Sequence, residues 1–106
     1  MFLLCFYVPA SSLEAVKSAV FAAGAGHVGY YDQCCWETPG QAQFRPLAGS
    51  APALGEQDQV HVVDEYRVEV ICQTGCIRAA VDALLAAHPY EEPAWHVLRT
   101  VDELPD

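Results

Sequence analysis

The chain has 106 residues, of which 53% are hydrophobic and 18% are charged. This length and composition predict one globular domain, spanning residues 1–106, and exclude a disordered chain. The formal net charge is −9, from 5 Lys and Arg against 14 Asp and Glu. Such an acidic surface repels phosphate backbones, which argues against nucleic acid as a partner.

The first predicted element is a strand over the continuous apolar run Phe2–Val8, which is typical of a central strand with neighbours on both sides. This run is too short to cross a bilayer, and it lacks the basic region and small-residue cleavage site of a signal peptide. We therefore expect a cytoplasmic protein with no membrane partner, whose 5 cysteines stay reduced.

A helix is predicted next. Ser11 and Glu14 have the spacing of a capping box, Gly24 supplies a C-terminal stop, and apolar residues recur between them at helical spacing. Tyr30–Thr38 is then extended, and Pro39-Gly40 predicts a turn into the return arm of a projecting hairpin. Turn residues fill the following segment, which predicts a loop from residue 46 to residue 59.

The second half repeats the pattern of the first. His61–Cys72 alternates between apolar and polar residues and predicts a half-buried strand. A second helix follows Gly75 and ends at His88, because Pro89 cannot continue it. Ala94–Arg99 is predicted as the last strand.

The order β-α-β-β-α-β predicts an α+β fold, the ferredoxin-like sandwich, in which two helices cover one face of an antiparallel sheet. We expect Phe2–Val8 and Tyr66–Cys72 to be the two central strands. The hairpin at Pro39-Gly40 is expected as an extra element between the second and third core strands.

Three groups of residues resemble known sites. The glycines of Gly24–Gly29 follow a helix instead of opening one, so they predict a helix stop and a close turn and not a phosphate loop. Cys34 and Cys35 are adjacent and face opposite sides of a strand, so both cannot bind one tetrahedral metal. Cys72 and Cys76 have no second matching pair, and we expect them to be small buried apolar side chains.

The corner His88–Pro93 is a stronger candidate for a functional site, because a helix C-terminus there meets Glu91 and Glu92 between two prolines. Together with His27 it could build a general acid or a hard metal site. It could equally be a helix cap with a salt-linked turn. Both helices end at a histidine, and we expect His27 and His88 to lie toward the same end of the sheet and share a cleft.

Aromatic residues are more numerous than one small core requires, and those on a projecting hairpin would be exposed in a monomer. They predict a surface for self-association. The residues concerned are Tyr30, Tyr31, Trp36, Phe44, Tyr90 and Trp95.

Three motifs carry a resemblance to a known family. Gly24–Cys34, Phe44–Leu47 followed by Gly55-Glu56, and His88–Pro93 resemble the inserted domain of the Nif-three-like dinuclear-metal proteins of the YqfO type. The likeness covers nearly the whole chain. It implies a fold like that of the trimeric CutA and PII proteins. This sequence does not include the flanking domain that holds the two-metal site in that family, so we do not expect hydrolase activity to carry over.

Two hypotheses follow. The preferred one is a non-catalytic oligomeric binding or regulatory module, a homotrimer by resemblance, with ligand contacts at His27, Tyr90 and Glu92 and no catalytic residue. The alternative is a small metal-binding protein or metal-dependent enzyme, with His27 beside the corner and a divalent metal on His88, Glu91 and Cys34. The expected partners are the chain itself and a metal ion or a small molecule.

Overall fold

A computed structural model describes all residues from 1 to 106. The element order is β-α-β-β-α-β, which confirms the predicted ferredoxin-like fold class. The helices are α1 (Leu13–Ala22) and α2 (Ile77–Ala87), and the strands are β1 (Phe2–Pro9), β2 (Trp36–Phe44), β3 (His61–Cys72) and β4 (Trp95–Arg99). Neither helix is long and apolar enough to cross a membrane.

The four strands form one antiparallel sheet in the order β2-β3-β1-β4. β1 and β3 are the two central strands, as predicted. Their register begins at Phe2 opposite Cys72 and ends at Pro9 opposite Glu65. Beyond that point β2 and β3 continue as a two-stranded ribbon to the pair of Phe44 and His61.

Both helices pack on one face of this sheet. Every second residue of β1 and β3 faces α1 and α2, and these side chains form one apolar core. The other face carries the alternate residues, among them Leu3, Arg67 and Glu69, and no helix covers it; we call it the open face. The core consists of Leu4, Phe6, Val8, Leu13, Val16, Val20, Ala25, Val68, Val70, Cys72, Ala80 and Leu84.

The prediction of a hairpin turn at Pro39-Gly40 is wrong. β2 runs straight through both residues, with Pro39 opposite Tyr66 and Gly40 opposite Glu65. β2 is an edge strand, where a proline costs little because its missing N–H can lie on the unpaired side. The reversal comes instead at the long loop from residue 45 to residue 60, so the fold has no extra hairpin between its second and third strands.

The predicted capping box is also wrong. The chain passes from β1 through a 3₁₀ turn, Ala10–Ser12, and the N-cap of α1 is Ser12, which makes no side-chain capping bond. The predicted C-terminal stop is confirmed, since Gly24 has a φ of +107°, a left-handed conformation that glycine adopts without a Cβ penalty.

Candidate functional site

The buried imidazole of His88 attaches the corner after α2 to strand β1. His88 is 6% exposed. Its Nδ1 accepts the Tyr90 backbone N–H at 3.1 Å, so Nε2 carries the proton and donates to the Tyr7 carbonyl at 2.7 Å. Both ring nitrogens are therefore used by the backbone, and His88 fixes where Tyr90 lies.

Tyr90 in turn contacts a carboxylate within the sheet. Its hydroxyl donates to Glu65 Oε2 at 2.8 Å. Burial and this hydrogen bond raise the pKa of the Tyr90 phenol well above its ordinary value, so the hydroxyl keeps its proton. Glu65 is 6% exposed, yet no Lys, Arg or His lies within ion-pair distance of it.

A cleft of about 420 Å³ opens beside this pair. Its walls come from the corner, from the end of β2 and from the first half of the 45–60 loop. The Phe44 ring lies 6.2 Å from the Tyr90 ring and stacks on His61 at 5.8 Å. The side chains around the opening include Tyr7, Arg45, Leu47, Ser50, Leu54, Glu91 and Glu92.

The loop that forms the rim of the cleft is held by several hydrogen bonds. Ala51 N–H donates to Glu91 Oε1 at 3.1 Å, which ties the loop to the corner. Asp58 N–H donates to the Pro46 carbonyl at 2.6 Å and closes the base of the loop. Glu56 N–H donates to His61 Nε2 at 2.8 Å. These bonds hold the loop in place at the rim of the cleft.

We expect a glycine substitution to test how tightly this loop is held. A Cβ at Gly55, whose φ is +88°, would lie 2.5 Å from the His61 ring. Gly49 has a similar φ of +91° and free space around it. Gly55→Ala should therefore lower the free energy of unfolding by about 1 kcal/mol more than Gly49→Ala, because both place a Cβ in a left-handed conformation and only the first adds a clash. Thermal melts of both variants measure the difference; equal losses would contradict it.

The structure separates His27 from the corner. Gly26 N–H donates to the Ile71 carbonyl at 2.8 Å, and Ile71 pairs with Leu3 at one end of β1. His88 bonds Tyr7, four residues further along the strand, or about 13 Å away. The expected cleft shared by the two histidines is therefore not formed within one chain. His27 is exposed and borders a separate depression with Asp32 and Gln33.

The expected metal ligands are not brought together either. Cys34 N–H donates to the Gly26 carbonyl at 3.0 Å, which places Cys34 at the His27 end of the sheet, away from His88 and Glu91. No group of three His, Cys, Asp or Glu side chains in the chain is arranged to hold a metal ion. Cys72 is buried in the core, as predicted, whereas Cys76 is only partly buried and packs against the core.

Two of the three expected ligand contacts, Tyr90 and Glu92, do border one cleft. Sequence reasoning missed Glu65, which supplies the buried charge. Nothing local distinguishes Glu65 from the acidic residues near it on β3. Its hydrogen-bond partner, Tyr90, lies 25 residues later in the chain.

The open face and its margin carry exposed aromatic side chains. Trp36 pairs with Glu69 at the start of β2 and is 70% exposed, although its Nε1 donates to Thr38 Oγ1 at 3.1 Å. Tyr30 and Tyr31 precede it and are also largely exposed. These rings add apolar area to an uncovered sheet.

Solved structures share this fold. CutA from the bacterium Xylella fastidiosa matches 98% of this chain and 86% of its own, with a TM-score of 0.69 and 19% identity. CutA1 from Pyrococcus horikoshii matches 100% of this chain, with a TM-score of 0.67 and 14% identity. The fold is that of CutA. A Bacillus cereus protein related to NIF3 has a TM-score of 0.77 and 34% identity over 91% of this chain, but over 24% of its own chain.

Curated proteins with similar sequences also match most of this chain but only part of their own length. The chain is 45% identical over 95 residues to a GTP cyclohydrolase 1 type 2 homolog of Mycobacterium tuberculosis, and 37% identical over 94 residues to that of Bacillus subtilis. The first match covers 90% of this chain and the second 89%, but each covers 25% of the relative. The chain thus spans about a quarter of the length of the relatives it matches. No protein-family model matches the chain.

Proposed function

We propose that this chain is a non-catalytic binding module that associates with itself and binds a small ligand in the cleft beside His88–Pro93. The observation that carries the proposal is Glu65, a carboxylate 6% exposed that borders an open cleft and has Tyr90 as its one hydrogen-bond partner. A carboxylate buried this deeply for structural reasons normally has a cationic partner, or hydrogen bonds to both of its oxygens.

The residues around the cleft favour binding over catalysis. General acid–base chemistry needs a titratable group whose proton can reach a substrate. Both nitrogens of His88 are engaged by backbone groups, and the Tyr90 hydroxyl is engaged by Glu65. The cyclohydrolase in the relatives' name belongs to chains about four times as long. We propose that the quarter shared with this chain supplies recognition.

The open face is the surface that we assign to self-association. The resemblance to CutA and PII proteins supports a homotrimer, and we propose a cytoplasmic location for it. Glu65 lies on the same face of β3 as Arg67 and Glu69, which is the open face. The cleft beside Glu65 therefore opens next to this face. A neighbouring subunit on the open face would then border the ligand cleft.

We expect Trp36→Ser to weaken the assembly and to leave the fold intact. Trp36 is 70% exposed, so its loss removes apolar area from the surface and not from the core. Light scattering of the untagged chain should show a defined oligomer, which the variant shifts toward monomer. Leu104→Ser is the matched control, because Leu104 is 86% exposed but lies in the C-terminal tail.

Three results would count against parts of the proposal. A wild-type chain that is monomeric at micromolar concentration would contradict the proposed self-association. A stoichiometric metal ion in protein purified without an affinity tag would favour the metal-binding alternative. Loss of all secondary structure in Trp36→Ser would place that side chain in the core.

A further inference from the structure

The cleft beside Glu65 has the features of a site for a positively charged organic molecule. The most buried polar residue of its lining is Glu65, which is 6% exposed. One oxygen accepts the Tyr90 hydroxyl, and the other has no hydrogen-bond or ion-pair partner in the chain. Since no buried side-chain oxygen in the chain lacks a hydrogen-bond partner, this second oxygen is reached from the cleft, although the residue as a whole is buried. A carboxylate oxygen that is unpaired and faces a cleft is well suited to accept from a cationic donor.

The charges around Glu65 have the same sign. Glu91 and Glu92 are exposed at the opening, and Arg45 is the one basic side chain that borders the cleft. Arg45 makes no ion pair with any of the three carboxylates. The net charge of the lining is therefore negative, in a chain whose own net charge is −9. Anionic ligands are disfavoured there, and cations are attracted.

The walls of the cleft favour an organic cation over a bare metal ion. The rings of Phe44 and Tyr90 lie 6.2 Å apart at the opening, and Leu47 and Leu54 add aliphatic surface. Aromatic faces stabilise ammonium and guanidinium groups, and apolar walls bind the body that carries them. The carboxylates are not arranged to coordinate a metal ion. The volume of about 420 Å³ falls in the range of small-molecule sites.

We propose that the cleft binds a small organic cation, with a primary ammonium or guanidinium group donating to Glu65 and an apolar or aromatic body packed against Phe44 and Tyr90. This inference rests on the proposed function, which makes the cleft a binding site, and adds the chemical class of the ligand. The free oxygen of Glu65 accepts the cationic N–H, while Tyr90 holds the other oxygen in place.

The test compares three probes that share one ring and differ in charge: phenethylamine, the neutral phenethyl alcohol and the anionic phenylacetate. Titration calorimetry should show the amine binding at least about tenfold more tightly than either of the others, the effect of one charge-assisted hydrogen bond. Glu65→Gln keeps the shape and the acceptor for Tyr90, and should abolish this preference. Glu103→Gln, in the exposed tail, is the control with the same loss of charge and should leave it unchanged.

The outcomes separate the ligand class from the binding function. If the alcohol or phenylacetate binds as tightly as the amine, the cleft is a binding site but the cation assignment is overturned. If none of the three probes binds at millimolar concentration, both the assignment and the role of the cleft are overturned. If magnesium or calcium chloride displaces the amine at equal concentration, a metal ion is the better occupant and the assignment is also wrong.

Discussion

Val70→Asp should unfold the domain. Val70 is 1% exposed, pairs with Leu4 at the centre of the sheet and faces the helices within the single core. An aspartate there places a carboxylate among apolar side chains with no cation to pair with it, which costs several kcal/mol or forces the group to take up a proton. Domains of this size are stable by about 5–15 kcal/mol, so a loss of this scale removes most of their stability.

Circular dichroism and urea denaturation measure this effect. Val62→Asp is the matched control, because Val62 lies on the same strand but is 58% exposed. The control should change the free energy of unfolding by about 0.5 kcal/mol or less. A folded Val70→Asp with a cooperative melt near that of the wild type would show that the even-numbered face of β3 is not the core face.

The overall fold could be predicted because the hydrophobic period of β3 and of the two helices agrees with their burial. β3 shows this best, since Val68, Val70 and Cys72 are all buried, Glu69 and Ile71 between them are only partly buried, and Arg67 before them is exposed. A period of two residues specifies which face of a strand is covered without reference to any other element. The comparison with CutA structures confirms the resulting architecture.

The errors arose where the position of an element in the sheet outweighs a local signal. Pro39-Gly40 is a strong turn signal in isolation. On an edge strand, however, one side of the backbone has no partner, and neither residue disrupts the ladder that joins β2 to β3. Whether a strand lies at the edge depends on the assembled sheet, so it cannot be predicted from the local sequence.

The candidate site was predictable in part. The corner could be found because a helix-ending proline, two aromatics and two glutamates occur within a few residues of His88. The position of His27 was mistaken for a topological reason. β1 and β3 are antiparallel, and each is followed by a helix that returns along it, so α1 and α2 run in opposite directions. Their C-terminal ends therefore lie at opposite ends of the sheet.

His88→Ala should lower stability substantially even though His88 ends a helix at the surface. The change removes a side chain 6% exposed, breaks a hydrogen bond to the Tyr7 carbonyl and leaves the Tyr90 N–H without its acceptor. Losing two hydrogen bonds and buried contacts should cost about 2–3 kcal/mol in the free energy of unfolding. Urea denaturation followed by circular dichroism measures the loss.

His27→Ala is the matched control, since His27 follows the other helix, is exposed and makes no hydrogen bond. It should change the free energy of unfolding by about 0.5 kcal/mol or less. Because His88 holds the Tyr90 backbone, and Tyr90 holds Glu65, His88→Ala should also weaken binding of phenethylamine in the folded fraction. If both histidine variants are equally stable and His88→Ala alone loses the amine, the imidazole contacts the ligand directly and is not the structural closure of the corner.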